Sequence, residues 1–198
     1  MRKFALGMAA AVVLLSAGFA RSQETDVAFG LSALLSPKYT SSSQLYLPPS
    51  EKSGAYLSLS GERRFRKRLG FSGEFSWREK QGLYNGFQRY RPLLYDVNAV
   101  FAPRLGENAS MDLMAGAGGE SLRFYNQFSA CTYPAGCLTH LSATHFMTHV
   151  GVDVRYYFRG SLFIRPEFHY YAVRDNFEFH SGNLFRAGAS VGYTFGRK

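Results

Sequence analysis

From about residue 26 to residue 195 the chain keeps returning to strict alternation between apolar and polar positions. A period of two is the signature of a strand, whose successive side chains point to opposite faces; a helix would repeat roughly every 3.6 positions. The first stretch, 26–35, sets Val27, Phe29, Leu31, Ala33 and Leu35 against Asp26, Ala28, Gly30 and Ser32. The second, 54–62, sets Ala55, Leu57 and Leu59 against Tyr56, Ser58, Ser60 and Glu62. The third, 69–78, sets Leu69, Phe71, Phe75 and Trp77 against Ser72, Glu74, Ser76 and Arg78. In the fourth, Leu93, Tyr95, Val97, Ala99 and Phe101 oppose Asp96 and Asn98.

The second half repeats the arrangement. Met111, Leu113, Ala115 and Ala117 oppose Asp112, Gly116, Gly118 and Glu120. Phe146, Val150, Val152, Val154, Tyr156 and Phe158 oppose His149, Asp153 and Arg155. Leu162, Ile164, Phe168 and Tyr170 oppose Arg165, Glu167, His169 and Tyr171, with Pro166 inside the stretch, which a bulge would accommodate. Ala187, Ala189, Val191, Tyr193 and Phe195 oppose Arg186, Ser190, Gly192 and Thr194. The pattern predicts eight strands.

The connections predict topology. Those near 64–67, 104–108 and 159–161 are short, while those at 36–53, 79–90, 127–143 and 175–184 are longer and rich in Ser, Pro, Gly and Asn. An even strand number, with the short turns and both chain ends on one side, matches a transmembrane barrel. A soluble barrel would show the same period in the opposite phase. Three features place lipid outside. The lysines after the first twenty residues, Lys38, Lys52, Lys67, Lys80 and Lys198, all fall in connections or at the C-terminus. The polar face mixes Asp, Glu, Arg and His with Gly and Ser, which suits a lumen that side chains just fill. Large aromatics close the apolar faces, Trp77 and Tyr170 toward the long loops and Phe101, Tyr156, Phe158, Tyr193 and Phe195 toward the short turns.

Composition adds the compartment. Arg2 and Lys3, an apolar run from 4 to 15, and small residues Gly18 and Ala20 before Arg21-Ser22-Gln23 form a cleavable export signal over residues 1–20. Residues 21–198 are then one domain, with no apolar run long enough for a spanning helix. Aromatics make up 16% of the chain, which favours strands. Without Arg2 and Lys3 there remain 21 basic and 14 acidic side chains. Export argues against nucleic acid as the partner. Much of the excess, Arg63, Arg64, Arg66, Lys67 and Arg68, crowds the first short turn, as solvated charge or a contact for inner-leaflet phosphates. Cys131 and Cys137 enclose Thr-Tyr-Pro-Ala-Gly, and in an oxidising compartment they read as a loop disulfide rather than a metal site with His140 and His145.

In these features the chain resembles the OmpA/OmpX-type outer-membrane β-barrel family across residues 24–195. The most specific element is the last strand, Ala187-Gly188-Ala189-Ser190-Val191-Gly192-Tyr193-Thr194-Phe195, similar to the signal by which such barrels engage the barrel-assembly machinery. Here Gly196-Arg197-Lys198 follow the aromatic on which the family usually ends. Ile164-Arg165-Pro166-Glu167-Phe168 is also family-like. The resemblance implies an eight-stranded antiparallel up-and-down barrel in the outer membrane of a diderm bacterium. It implies a monomer contacting outer-membrane lipid and lipopolysaccharide.

No catalytic, cofactor-binding or metal-ligating set is expected. Lipid A deacylases have this size and use a His-x-Ser pair followed by Glu, but His169-Tyr170-Tyr171 lacks the serine. His180-Ser181 would point to opposite faces of a strand. His149 and His169 read as hydrogen-bonded imidazoles of a polar core, with a pH-sensitive pair as the alternative. A tight turn at Gly160 would set Arg155 opposite Arg165 and Asp153 opposite Glu167, each Arg diagonal to an acid. Glu74, Asp96, Asp112 and Arg186 would extend these four into a lumen charge network that blocks conduction. The role expected is non-enzymatic: structural, or binding and adhesion through the loops. Tyr39, Leu45, Tyr46 and Leu47 of loop 36–53 are the candidate contacts, with a loop tucked onto the barrel as the equal alternative. A lipid A-modifying enzyme and a narrow pore are the alternatives.

Overall fold

The computed structural model describes residues 24–37, 48–66, 68–132 and 136–197. The strands are β1 (Thr25–Leu35), β2 (Gly54–Arg66), β3 (Leu69–Arg78), β4 (Gly82–Tyr84), β5 (Gln88–Phe101), β6 (Ala109–Thr132), β7 (Gly136–Arg159), β8 (Leu162–Val173) and β9 (Asn183–Phe195). All pair antiparallel with their barrel neighbours, and β1 pairs with β9 from Thr25–Phe195 to Leu35–Phe185. β3 pairs directly with β5, so eight strands close into a barrel, and β4 is a short extra strand on the outer end of β5. The expected export signal, residues 1–20, and the loop residues Tyr39, Leu45, Tyr46 and Leu47 lie outside the described residues.

Burial alternates along every barrel strand, as in β1, where Asp26, Ala28, Gly30, Ser32 and Leu34 are buried and the residues between are exposed. The exposed set is the apolar one: Leu31 is 59% exposed, Phe71 59%, Val97 67% and Val191 54%. A wall of such side chains in water would cost about 1.5–3 kcal/mol for each large residue. The stable environment for this face is hydrocarbon, as the phase of the sequence pattern requires.

Three local expectations change. β2 runs on to Arg66, so the basic cluster is largely strand and Arg64 is buried in the lumen. Loop 127–143 is instead a continuation of β6 and β7 as a two-stranded ribbon, with a register shift between Tyr125 and Ala130. Its two arms satisfy each other's backbone groups, so the ribbon needs no further support to leave the barrel wall. Pro166 sits in unbroken register: Asp153 pairs with Glu167 and Tyr156 with Ile164, and the β7–β8 ladder omits the positions between. A missing N–H is accommodated by a gap in one ladder, without a bulge. In the second loop, Asn85 and Gly86 both take positive φ in a turn closed by Phe87 N–H donating to the Tyr84 carbonyl at 3.2 Å. That conformation is the one Asn-Gly favours in hairpins.

Candidate functional site

The lumen is filled by side chains in three layers. Nearest the short turns, Arg155 is fully buried and donates to Asp112 at 2.7 Å, to Glu62 at 2.9 Å and to Asp26. Its guanidinium also lies 4.7 Å above the Phe163 ring. Arg64 reaches the same acids from β2, with Glu62 at 2.8 Å, Glu24 at 3.0 Å and Asp26 at 3.3 Å. Two guanidiniums thus bind carboxylates from β1, β2 and β6, tying three strands across the barrel. Below this layer a vestibule of about 110 Å³ opens among Glu24, Arg64, Arg104, Ser110, Tyr157 and Arg197.

The middle layer holds Arg165 and Arg186. Arg186 pairs with Glu74 in close contact and lies 3.6 Å from Glu167. Arg165 hydrogen-bonds Ser60 at 2.8 Å and Ser190 at 3.1 Å, and stands 3.4 Å from Asp153 and 3.6 Å from Glu167. Asp153 pairs with Glu167 across β7 and β8, and Arg165 is diagonal to Asp153, while Arg155 turns away to the acids of the first layer. The imidazoles of His149 and His169 are stacked, with Nε2 of His149 and Nδ1 of His169 2.8 Å apart. His149 Nδ1 lies 2.7 Å from Asn98 Oδ1, and Asn98 in turn donates to Asp96. Glycines clear the space for this chain. A Cβ on Gly116 would meet Asn98 Oδ1 at 2.3 Å, and one on Gly151 would meet His169 Nδ1 at 2.8 Å.

The third layer is apolar. Leu34, Tyr56, Leu94, Met147, Tyr171 and Leu184 are each 0–1% exposed and pack together across the lumen. Above them Tyr90, Leu122, Phe124 and Phe179 form a second cluster, in which loop residue Phe179 packs on Tyr84 and Tyr90. Loop segment 48–53 closes down beside it. Glu51 is 2% exposed and accepts the Tyr56 hydroxyl at 2.9 Å, and the backbone N–H of Lys52 donates to the Tyr90 hydroxyl at 2.9 Å. Burial pushes the Glu51 carboxyl above the usual carboxylate range. On the opposite wall, fully buried Glu120 accepts from Asn176 of the last loop at 3.1 Å.

On the outer wall, just past the level of Trp77, Arg91 and Arg123 face each other across β5 and β6, next to Arg89. All eight residues expected in the charge network, Glu74, Asp96, Asp112, Asp153, Arg155, Arg165, Glu167 and Arg186, are buried in the lumen. Asp26, Glu62 and Arg64 join them without having been assigned there. The register sets Cys131 directly opposite Cys137 in the outer ribbon; their side chains lie outside the described set. His180 and Ser181 fall in the last loop, where the His180 N–H donates to the Pro49 carbonyl at 3.2 Å. The Ser181 hydroxyl accepts the Asn183 N–H at 3.2 Å.

No protein-family model matches the sequence, and no curated protein does. Solved structures do match the fold. Neisserial surface protein A superposes with a TM-score of 0.60 at 12% identity, over 87% of this chain and 97% of that one. Ail, the attachment invasion locus protein of Yersinia pestis, solved in complex with the heparin analogue sucrose octasulfate, gives 0.59 at 15% identity over 88% and 99%. The N-terminal β-barrel domain of Pseudomonas aeruginosa OprF gives 0.57 at 12% identity over 88% and 98%. At these identities the likeness is one of fold, and that fold is the eight-stranded outer-membrane barrel.

Proposed function

We propose that this outer-membrane barrel, whose fold is of the OmpA/OmpX type, is a sealed, non-enzymatic surface protein that acts through its outer loops and its outer wall. One observation carries the reading. An apolar layer from Leu34 to Leu184 and two layers of paired charges fill the lumen in succession. Such a lumen offers no aqueous path for ions, so the strands serve as an anchor. The imidazoles are engaged with each other and with Asn98, away from the lipid face where a lipid A-modifying centre would have to work.

The partner on the wall is the phosphate of lipopolysaccharide. Like charges directly opposite on a sheet destabilise it unless an anion lies between them, and Arg91 opposite Arg123 beside Arg89 is such a pair at headgroup height. The Ail structure was solved with a polyanion, sucrose octasulfate, which is consistent with anion capture by this fold. Beyond the wall, the loops and the β6–β7 ribbon are the surface for an extracellular ligand. The test is paired. Purified protein in a planar bilayer is expected to show no stable conductance, and a steady large conductance would overturn the seal. Arg91→Ala with Arg123→Ala is expected to weaken binding to lipid A vesicles while leaving phosphatidylcholine vesicles unaffected. Equal lipid A binding by wild type and variant would remove the phosphate contact.

A further inference from the structure

The middle layer contains a group that the ion pairs do not complete. Asp153, Glu167 and His169 offer one donor atom each, all within 4.8 Å of one another, from neighbouring strands β7 and β8. Asp153 is 1% exposed, Glu167 4% and His169 0%, yet both oxygens of each carboxylate and His169 Nε2 have no hydrogen-bond partner. Buried polar atoms without partners are costly, so one oxygen from each carboxylate and a ring nitrogen, lying within 4.8 Å of one another, mark a place for a ligand.

The hydrogen bonds around the group fix which atom His169 presents. A carboxylate only accepts, so Asn98 turns its amide N–H to Asp96 and its Oδ1 toward His149. Asn98 Oδ1 only accepts, so His149 carries its proton on Nδ1 and offers a lone pair at Nε2. His169 therefore donates from Nδ1, and its Nε2 lone pair faces Asp153 Oδ1 at 3.4 Å. A metal-bound histidine is oriented in the same way, with one nitrogen on the ion and the other N–H held by a neighbour. Two donors about 2.1 Å from an ion at the tetrahedral angle stand about 3.4 Å apart, as His169 Nε2 and Asp153 Oδ1 do, and the Glu167 oxygen, within 4.8 Å, would close in to complete the set.

Charge points the same way. This layer sets four carboxylates, Glu74, Asp96, Asp153 and Glu167, against two guanidiniums, Arg165 and Arg186. Acidic groups therefore outnumber basic ones in this layer, which favours a cation over an anion as the ligand. Arg165 and Arg186 approach these oxygens only at 3.4–3.6 Å, because the hydrogen bonds of Arg165 go to Ser60 and Ser190 and Arg186 is paired with Glu74. The geometry points to a structural site for a divalent first-row transition cation, such as Zn²⁺, held by Asp153, Glu167 and His169 Nε2. The ion would join β7 to β8 where Pro166 leaves a gap in their ladder.

The test uses the full barrel refolded in detergent with and without Zn²⁺, desalted, and assayed for metal by mass spectrometry. Folded protein is identified by its heat-modifiable gel migration. Stoichiometric zinc in the wild type and its loss in His169→Gln and Asp153→Asn are the expected results. If either variant fails to fold, zinc-edge absorption of the wild type decides: a first shell with one imidazole nitrogen and carboxylate oxygens is expected. A shell of several imidazoles would place the ion among loop histidines and overturn the site. So would folded wild type that retains no zinc, or folded variants that retain as much.

Discussion

Replacing Arg155 with Met should unlock the barrel more than any comparable change on its surface. Methionine keeps most of the side-chain volume, so the perturbation is electrostatic rather than a cavity. The lost guanidinium serves Asp26, Glu62 and Asp112 at once, all at most 2% exposed, and leaves them facing one another. Breaking a buried pair by removing one partner costs about 3–5 kcal/mol. Arg64 remains within 4 Å of all three acids and holds the loss within that range. At about 1.4 kcal/mol for each factor of ten, the folded-to-unfolded ratio should fall by roughly a hundred to several thousand. Urea unfolding from lipid vesicles measures this directly, because Trp77 is the sole tryptophan and lies on the barrel wall. Arg89→Met, on the exposed wall, should leave the midpoint unchanged. Adding Asp112→Asn to Arg155→Met should recover part of the loss, since it removes one stranded charge. An Arg155→Met barrel within about 1 kcal/mol of wild type would refute the view that this layer is tightly desolvated.

Three further outcomes are expected. Docking of segment 48–53 buries Glu51 and raises its carboxyl above the ordinary range, so docking is favoured at low pH and weakens as pH rises through the raised value. Amide exchange in 48–53, corrected for intrinsic rates, should quicken as pH rises above the ordinary carboxylate range, and less steeply in Glu51→Gln, where only the adjoining Glu120 carboxyl remains; pH-independent exchange in the wild type would contradict it. Cys131 and Cys137 should be joined, and replacing both with Ser should speed proteolysis of the ribbon without moving the barrel's urea midpoint, because so small a loop contributes at most about 2–3 kcal/mol, locally. Two free thiols in protein isolated from the envelope would end that reading. Mass spectrometry of the same material should find a chain beginning at Arg21, and an intact Met1 would mean that the export signal is retained.

How much of this was legible depended on alternation. The phase of each strand, the closed barrel and the inward placement of eight charged residues followed from period two and from register parity, because one face must meet hydrocarbon. The apolar septum was missed although its signal is present. Leu34-Leu35, Leu93-Leu94, Phe146-Met147 and Leu184-Phe185 are doublets where alternation lapses, and Leu34, Leu94, Met147 and Leu184 all point inward toward the outer end of the barrel. Arg64 was read as turn charge because five basic residues in a row of six look solvated; only the partners on β1 and β6 show why one of them is buried. Asp153, Glu167 and His169 carry no linear metal motif. Their proximity arises from the pairing of Asp153 with Glu167, with His169 two positions further along β8.

The pairing of β1 with β9 also dictates the order in which the barrel can be made. Every other pairing between barrel strands joins neighbours along the chain, so it can form as a local hairpin while the rest is still arriving. The seam between Thr25 and Phe195 is the one strand pairing among the described residues that joins distant parts of the chain, and it must wait for β9 to be delivered. Until then β1 and β9 are raw edges with unmet backbone donors and acceptors, open to pairing with another chain. An early stop anywhere before β9 therefore yields a curled, sticky sheet that cannot close on itself in place of a slightly smaller barrel.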